Sequence, residues 1–365
     1  MLYRSLAKPL LFRMDPEKAH HLTVGGLAAA ARIPGATGLL NLLYGTAKAP
    51  ELAVNLWGIR FSHPIGLAAG LDKNGVAVPG FTSMGFSFVE VGTVTPQPQP
   101  GNELPRLFRL PEDQALINRM GFNNRGASAM AEELKRVKQR KIPVAVNIGK
   151  NKWTPNEEAV EDYRACIKAL YPYGDFFVVN ISSPNTPNLR DLQHGEELRK
   201  LLGAVKDEMD KQAQGKGVKP VLVKLAPDVD ERDLEHMTDS IMRSGVSGII
   251  ATNTTILRDG LASPHQRETG GLSGKPLARR STEAIRSIYK LTGGKLPIIG
   301  SGGIFSAQDA YEKIRAGASL VEVYTGLIYQ GPGIVRAIHR GLIERLKRDG
   351  FAGISEAVGV DVQLS

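Results

Sequence analysis

The chain has 365 residues, of which 46 are basic and 37 acidic, so its formal net charge is +9. Its composition, 42% hydrophobic and 23% charged, excludes a disordered or fibrous protein. A single cysteine, Cys166, excludes an internal disulfide framework and a zinc site built from several thiolates. The positive charge favours an anionic partner, but no tract of five basic residues occurs. We therefore expect no nucleic-acid partner.

The first 48 residues form a basic segment with a net charge of +4, from six Lys/Arg against Asp15 and Glu17. Asp15, Pro16 and Glu17 predict the start of a helix, because a capping carboxylate precedes a proline and an acid in the first turn. The segment Leu22–Leu43 is too interrupted by a charge, a proline and glycines to predict a membrane span. Two interpretations stay open, a cap over the core or a helix pair lying on a membrane surface. The apolar stripe of this segment consists of Leu2, Leu6, Leu10 and Leu11.

From residue 65 onward, eight short apolar runs alternate with amphipathic helical patterns. Buried parallel strands separated by helices favour a (β/α)8 TIM barrel, in the α/β class, over residues 49–365. A doubly wound open sheet is the alternative. The strands are predicted at Ile65–Ala69, Phe88–Val94, Val144–Ile148, Phe176–Asn180, Val221–Leu225, Gly248–Thr252, Pro297–Ser301 and Leu320–Tyr324. The helices are predicted at Gly126–Arg140, Glu157–Leu170, Glu196–Lys211, Glu231–Arg243, Ser281–Leu291 and Ser306–Ala316.

Polar residues and glycines follow the predicted strands, at the barrel edge where such folds carry their active sites. Lys224 lies inside the apolar run Val221–Leu225. Burying its charge costs roughly several kcal/mol unless a partner compensates, which predicts a functional role. The segment Gly300–Ile304 follows the seventh strand, and Thr325 and Gly326 follow the eighth. Glycine backbone lets N–H groups approach an anion, so this pair of segments predicts a phosphorylated ligand.

Two long loops, Pro96–Gly126 and Ile181–Gly195, are candidates for ligand binding, since loops of this length are usually functional. They are rich in amides and hydroxyls, which suit a planar, polar, carboxylate-bearing ligand. The seven histidines show no metal-ligand spacing, so no metal site is predicted. The sequence also lacks the common hydrolase motifs.

Seven motifs stand at these strand ends and loops: Gly66-Leu-Ala-Ala-Gly-Leu-Asp-Lys73, Gly92-Thr-Val-Thr-Pro96, Ile117-Asn-Arg-Met-Gly-Phe-Asn123, Val179-Asn-Ile-Ser-Ser-Pro-Asn-Thr186, Lys224-Leu-Ala-Pro-Asp228, Gly270-Gly-Leu-Ser-Gly274 and Ile299-Gly-Ser-Gly-Gly-Ile304. Together they resemble the dihydroorotate dehydrogenase family, in its membrane-associated, quinone-dependent class 2. Three features favour class 2 over class 1: the basic N-terminal extension with Asp15-Pro16-Glu17-Lys-Ala-His20, the Arg106-Leu-Phe-Arg109 segment, and serine instead of cysteine in the catalytic loop.

The resemblance implies oxidation of dihydroorotate to orotate with FMN as cofactor and a membrane quinone as acceptor. It also implies a peripheral location on an anionic cell membrane, on the cytoplasmic side. Its catalytic base falls on Ser183, and its quinone tunnel falls near His20 and Arg109. The implied flavin contacts are Ala69, Gly70, Lys73, Thr93, Asn147, Asn180, Lys224, Thr252, Gly274, Gly303, Tyr324 and Thr325. The implied orotate contacts are Lys73, Asn118, Arg119, Met120, Gly121, Phe122, Asn180, Asn185, Asn253 and Thr254.

Other functions stay open at this point. A soluble class 1 dihydroorotate dehydrogenase or a dihydrouridine synthase would share the flavin barrel, although a cysteine in the catalytic loop would have favoured them. A flavin- or phosphate-binding barrel without catalysis, or a scaffold that binds partners through its basic N-terminus, are alternatives from a different class.

Overall fold

The computed structural model describes residues 3–137 and 140–364. Its strands are β1 (Val54–Leu56), β2 (Ile59–Phe61), β3 (Ile65–Leu67), β4 (Val89–Val94), β5 (Leu107–Leu110), β6 (Ala115–Asn118), β7 (Val144–Ile148), β8 (Phe176–Asn180), β9 (Val221–Leu225), β10 (Gly248–Ala251), β11 (Gly271–Gly274), β12 (Ile298–Ser301) and β13 (Ala318–Val323). Eight of them close into a parallel barrel in the order β3, β4, β7, β8, β9, β10, β12 and β13. The predicted TIM barrel is confirmed, with strand ends shifted by at most two residues.

The helices pack around the barrel, and the first three belong to the N-terminal segment that precedes it in the chain. They are α1 (Lys8–Arg13), α2 (Pro16–Ala30), α3 (Ala36–Tyr44), α4 (Val78–Ser83), α5 (Ala127–Arg136), α6 (Ala159–Leu170), α7 (Gly195–Ala213), α8 (Glu231–Ser244), α9 (Ala278–Leu291), α10 (Ala307–Arg315), α11 (Thr325–Gln330) and α12 (Ile334–Asp349). The six predicted helices correspond to α5 through α10. The first of them ends at Arg136, and the predicted positions 138 and 139 lie outside the described residues.

An aromatic cluster closes the N-terminal end of the barrel. The hairpin of β1 and β2 ends at Phe61, whose ring lies 5.4 Å from the Phe88 ring and 6.2 Å from the Phe176 ring. Gly66 is required here, because a Cβ at that position would lie 2.2 Å from the Phe88 ring. The closed, apolar bottom leaves the opposite end of the barrel for ligands.

The predicted loop Pro96–Gly126 is more ordered than the sequence indicated, since it contains β5 and β6. These strands pair with each other and with β11 in a three-stranded antiparallel sheet. The sheet has its own small core, formed by Phe108, Leu110, Ala115, Ile117 and Leu272. It therefore holds Asn118, at the end of β6, and Gly274, at the end of β11, in fixed positions at the mouth of the barrel.

The N-terminal segment folds as three helices rather than a pair, and it packs against the barrel. The predicted start of α2 is confirmed, because Asp15 Oδ1 accepts hydrogen bonds from the backbone N–H groups of Glu17 and Lys18 at 3.1 and 2.9 Å. Glu17 also forms a salt bridge of 2.7 Å with Arg106, which ties α2 to the loop before β5. Leu2, one residue of the predicted stripe, lies outside the described residues. Within residues 3–137 and 140–364, no helix has the length and hydropathy of a membrane span.

Candidate active site

One cavity at the C-terminal ends of the barrel strands collects most of the predicted site residues; we call it the first cavity. The side chain of Asn147 lies behind its wall, and that of Arg119 points to Glu268, at 2.7 Å, instead of into the cavity. The predicted residues that line it are Ala69, Gly70, Lys73, Thr93, Asn118, Met120, Gly121, Phe122, Asn180, Ser183, Asn185, Lys224, Thr252, Asn253, Thr254, Gly274, Gly303, Tyr324 and Thr325.

Lys224 projects from β9 toward the base of this cavity and is paired there. Its Nζ donates a hydrogen bond of 2.7 Å to Glu90 Oε2 and lies 3.6 Å from Glu322 Oε2. Although burial lowers it, the two carboxyl groups raise the pKa of Lys224 above its ordinary value. The ammonium is therefore charged, and the predicted need for a compensating partner is met by Glu90.

The two acids beside Lys224 differ in their surroundings. Glu90 accepts three hydrogen bonds, from Lys224, from the Asn147 amide at 2.6 Å and from the Ala69 N–H at 2.7 Å, as expected for a carboxylate. Both carboxyl oxygens of Glu322 are buried and accept no hydrogen bond within the described part of the chain. Burial and the nearby Glu90 charge raise the pKa of Glu322 well above its ordinary value, against the effect of Lys224. These surroundings favour the protonated form of Glu322 more than that of Glu90.

An amide and hydroxyl network continues from Glu90 along one wall of the first cavity. The Thr93 hydroxyl donates to Asn147 Oδ1, and the Asn180 amide donates to the Thr93 hydroxyl at 2.9 Å and to Asn147 Oδ1 at 3.2 Å. These three residues come from β4, β7 and β8, which are neighbours in the barrel. Asn147 thus fixes the orientation of Thr93 and Asn180, which both line the cavity.

The loop after β8 places Ser183 in the cavity wall with only 6% of its surface exposed. Its Oγ accepts a hydrogen bond of 3.2 Å from the backbone N–H of Asn185. Within the described residues the Ser183 hydroxyl donates no hydrogen bond, so its proton is available to a ligand. The Asn185 amide donates to Asn118 Oδ1 at 3.2 Å, which joins this loop to β6. On the other side, Asn253 donates to Ser182 Oγ at 2.9 Å.

Lys73 supplies the second ammonium group of the cavity. Its Nζ donates a hydrogen bond of 2.6 Å to Asn123 Oδ1. Burial lowers the pKa of Lys73 to about 7, while Glu17 acts in the opposite direction. Its protonation therefore responds to any anion that enters the cavity near neutral pH.

The other end of the first cavity is formed by the glycine loop, residues 300–304, and by the beginning of α11. The backbone of Gly302 and Gly303 has positive φ values of 119° and 72°. A Cβ at Gly303 would lie 2.3 Å from the Cα of Ala278, so only glycine fits. Beside this loop, the Ser273 and Thr325 hydroxyl groups lie 2.8 Å apart. Glycine leaves the backbone N–H groups of this loop accessible, and together with the two hydroxyl groups they suit a phosphate group.

A second cavity, of about 480 Å³, lies between the N-terminal helices and the barrel. Its lining is mainly apolar and includes His20 of α2 and Arg109 of β5. Burial, with smaller effects of neighbouring cations, lowers the pKa of His20 to about 3, so its ring is neutral. The Arg109 guanidinium donates a hydrogen bond of 2.7 Å to the carbonyl of Met14. Tyr324 lines both cavities and separates them.

Comparison with known proteins assigns the chain to a family. The family model described as dihydroorotate dehydrogenase matches residues 51–346. This chain belongs to the quinone-dependent dihydroorotate dehydrogenase family. It is 56% identical to the dihydroorotate dehydrogenase (quinone) of Deinococcus deserti, over 99% of this chain and 100% of the relative. It is 54% identical to the protein of that name from Deinococcus radiodurans, over 96% and 98% of the two chains.

Solved structures agree with this assignment. The crystal structure of DHODH from Eimeria tenella in complex with ferulenol is 42% identical to this chain and superposes with a TM-score of 0.88. It covers 95% of this chain, which covers 96% of it. The ligand-free structure from the same organism gives a TM-score of 0.87, with 96% and 100% coverage. The family assignment excludes the alternative of a dihydrouridine synthase.

Several residues that line or support the first cavity were not predicted as contacts from the sequence. Glu90 and Glu322 each interrupt an apolar strand, which is the same signal that drew attention to Lys224. Ser273, in β11, and Asn123, which accepts a hydrogen bond from Lys73, lie within two of the seven motifs but were not predicted as contacts. The lining residues Ser301, Gly302, Ile304 and Gly326 belong to the two segments that were predicted to bind a phosphorylated ligand. Ala68 and Leu277 also line the cavity and were not predicted as contacts.

Proposed function

We propose that this chain oxidises dihydroorotate to orotate in pyrimidine biosynthesis, with FMN in the first cavity and a membrane quinone in the second. The observation that carries this proposal is the position of Tyr324, which separates a polar cavity from an apolar one. A polar, charged pyrimidine and an apolar quinone need different chambers, and electron transfer between them requires that the chambers be close. The two cavities back to back meet both requirements.

The residues of the first cavity fit FMN. Lys224 and the carboxyl group of Glu322, whose oxygens accept no hydrogen bond within the described residues, give the cavity a polar base for the ring system of a flavin. The glycine loop offers backbone donors to its phosphate. A bound flavin supplies the acceptor for the hydride that leaves C6 of dihydroorotate. The residues that would hold FMN are Ala69, Gly70, Lys73, Thr93, Asn147, Asn180, Lys224, Thr252, Gly274, Gly303, Tyr324 and Thr325.

Ser183 is the proposed base that removes the proton from C5 of dihydroorotate. A serine hydroxyl is a weak base in water, so the position must exclude water and let the hydroxyl pass its own proton on. Its burial and its free hydroxyl proton support this role. The Asn185 N–H bond to Ser183 Oγ fixes the direction of the side chain.

The amides around Ser183 would recognise the pyrimidine. Asn118 and Asn185 bind each other, and Asn253 is held through Ser182, so each amide presents a defined donor and acceptor. Lys73 is the proposed partner of the substrate carboxylate, because its ammonium lies in the cavity wall. The further proposed orotate contacts are Arg119, Met120, Gly121, Phe122, Asn180 and Thr254.

We also propose that residues 1–48 form a unit for membrane binding and quinone access, distinct from the catalytic barrel of residues 49–365. The family is membrane-associated, and the outer faces of α1 and α3 expose large apolar side chains. Their basic neighbours would favour an anionic membrane surface, on the cytoplasmic side. His20 and Arg109 would line the quinone path. The exposed leucines of this segment include Leu6 (61%), Leu10 (64%), Leu22 (58%), Leu39 (58%), Leu42 (74%) and Leu43 (52%).

An anaerobic half-reaction tests the proposed function. We expect the purified full chain to contain FMN, and its absorbance near the flavin maximum to be lost when dihydroorotate is added without oxygen. A long-tailed quinone should then restore the absorbance. A flavin that dihydroorotate does not bleach would contradict the proposed reaction, and a bleached flavin that quinone does not re-oxidise would contradict only the proposed acceptor.

A further inference from the structure

Lys313 of α10 is a buried lysine that neither cavity uses. Only 1% of its surface is exposed. Its Nζ donates hydrogen bonds to the carbonyl of Ala278 at 3.2 Å and to the hydroxyls of Ser281 and Thr282 at 3.0 Å each. All three acceptors are neutral and lie within the first five residues of α9. Within the described residues, Lys313 forms no salt bridge.

A buried ammonium with neutral partners is costly, because its charge is only partly compensated. Burial lowers the pKa of Lys313 to about 7, although Asp309 and Glu312 of the same helix act against this shift. A groove on the outer surface between α9 and α10 is lined by Lys313 and by three charged residues of α9: Arg279, Glu283 and Arg286. These groups are mostly exposed, so solvent screens them. An apolar side chain would fill this position without the free-energy cost of burying a charge. A negatively charged ligand nearby would compensate the charge of Lys313.

The position of Lys313 points to the glycine loop. A Cβ at Gly300 would lie 3.4 Å from Lys313 Cβ, so the base of the side chain touches the loop. Ser281, which accepts a hydrogen bond from Lys313, donates one of 2.6 Å to the carbonyl of Ser301. Ala278, another acceptor, packs directly against Gly303. The ammonium is therefore connected to the glycine loop through Ser281 and Ala278.

We propose that Lys313 is a positioning residue that strengthens the binding of the cofactor phosphate from beside the glycine loop, without touching it. This inference rests on the proposed function, since it requires a phosphorylated flavin in the first cavity. A phosphate dianion on the cavity side would provide the negative charge that Lys313 lacks. The low dielectric between them makes the attraction stronger than it would be in water. Lys313 would thus favour FMN over a flavin that has no phosphate.

Riboflavin, which is FMN without the phosphate, gives the matched comparison. Dissociation constants of FMN and riboflavin are measured by flavin fluorescence on the full chain. We expect Lys313→Met to raise the dissociation constant of FMN by about tenfold, as for the loss of one nearby buried charge. The dissociation constant of riboflavin should change by less than about twofold. Lys313→Gln, which keeps a hydrogen-bond donor but no charge, should behave in the same way and covers the case in which the methionine variant does not fold.

The control is Lys150→Met, since Lys150 also has little exposed surface, 2%, but donates to the carbonyl of Thr154. This variant should leave the FMN-to-riboflavin preference unchanged. An equal loss of both flavins in the Lys313 variants would overturn the inference, because Lys313 would then only hold α9 in place. An unchanged FMN affinity would overturn it as well. A parent chain that does not prefer FMN to riboflavin would contradict the proposed cofactor itself.

Discussion

The Lys224 ammonium and the Glu90 carboxylate, 134 residues apart in the sequence, form an ion pair of 2.7 Å inside the barrel. Both side chains are almost fully buried, at 7% and 0% exposure. Such a pair stabilises the fold only while both members are present, because removal of one leaves the other charge without compensation. Its position at the base of the first cavity links the stability of the barrel to the electrostatics of the cofactor site.

Lys224→Met should therefore destabilise the protein by about 3–5 kcal/mol and reduce flavin retention. The double variant Lys224→Met/Glu90→Gln removes both charges and should recover a large part of the lost Tm. Thermal unfolding and the flavin-to-protein ratio measure the two effects. A single variant as stable as the parent, with a full complement of flavin, would show that the ion pair has neither role.

Glu322→Gln tests the neutral state of the second acid. The raised pKa of Glu322 means that the folded chain keeps a proton which the unfolded chain releases above about pH 4.3. The resulting loss of stability is absent at lower pH and grows as the pH rises toward the folded-state pKa. Glutamine resembles the neutral acid and has no such loss. We expect the variant to exceed the parent in Tm by at least about 2 °C at pH 8 and to match it near pH 4.5. A variant less stable than the parent at pH 8 would indicate an ionised Glu322.

Ser183→Ala should keep the bound flavin and fold normally, but slow its reduction by dihydroorotate by about 10²–10⁴-fold, the usual contribution of a general base. Stopped-flow absorbance under anaerobic conditions measures the rate. Ser87→Ala is the matched control, since it removes a buried hydroxyl that donates to the carbonyl of Ile65 at the closed end of the barrel. A reduction rate within tenfold of the parent would rule out Ser183 as the base.

Lys73 should make orotate binding dependent on pH. Because its pKa is about 7 in the free protein, Lys73 loses its charge as the pH rises from 6 to 9. The affinity for the orotate carboxylate should then fall about tenfold per pH unit well above the pKa. Lys73→Met should bind orotate weakly and with a flat profile over the same range. Titration of the flavin spectrum with orotate measures both profiles, and parallel profiles in the two proteins would assign the pH dependence to another group.

The exposed leucines of α3 test the membrane proposal without deleting the segment. Leu39→Asp/Leu42→Asp should reduce binding to anionic vesicles, and turnover with a long-tailed quinone, by at least about tenfold, since each buried leucine contributes about 1.5–3 kcal/mol. Reduction of a small soluble dye should stay unchanged.

Val218→Asp serves as the control, because Val218 is also exposed, at 51%, but precedes β9 at the closed end of the barrel. It should leave vesicle binding and quinone turnover at the parent level. The membrane proposal fails if the double leucine variant and the Val218 variant behave alike.

The barrel itself could be predicted from local patterns. Each strand is a continuous apolar run of a few residues between amphipathic helices, and this pattern depends only on neighbouring positions. The start of α2 at Asp15 was predictable for the same reason, because a capping side chain binds N–H groups two and three residues away.

Partners distant in the sequence could not be predicted in this way. Lys224 was predicted to need a counter-charge, but its closer contact with Glu90, at 2.7 Å, than with Glu322, at 3.6 Å, depends on which strands face each other across the closed barrel. Likewise β5 and β6 were predicted as a loop, because prolines surround these short runs and their pairing partner β11 lies about 150 residues further along the chain.

The sequence alone therefore determined the eight-stranded barrel, the family resemblance and most residues of the first cavity, since these follow from local periodicity and from motifs at strand ends. Only the tertiary structure decided how the two buried acids differ, because that depends on the number of donors around each carboxyl group. It also placed Tyr324 between two cavities and Lys313 beside the glycine loop. Burial and charge are properties of the assembled neighbourhood, and chain order does not specify them.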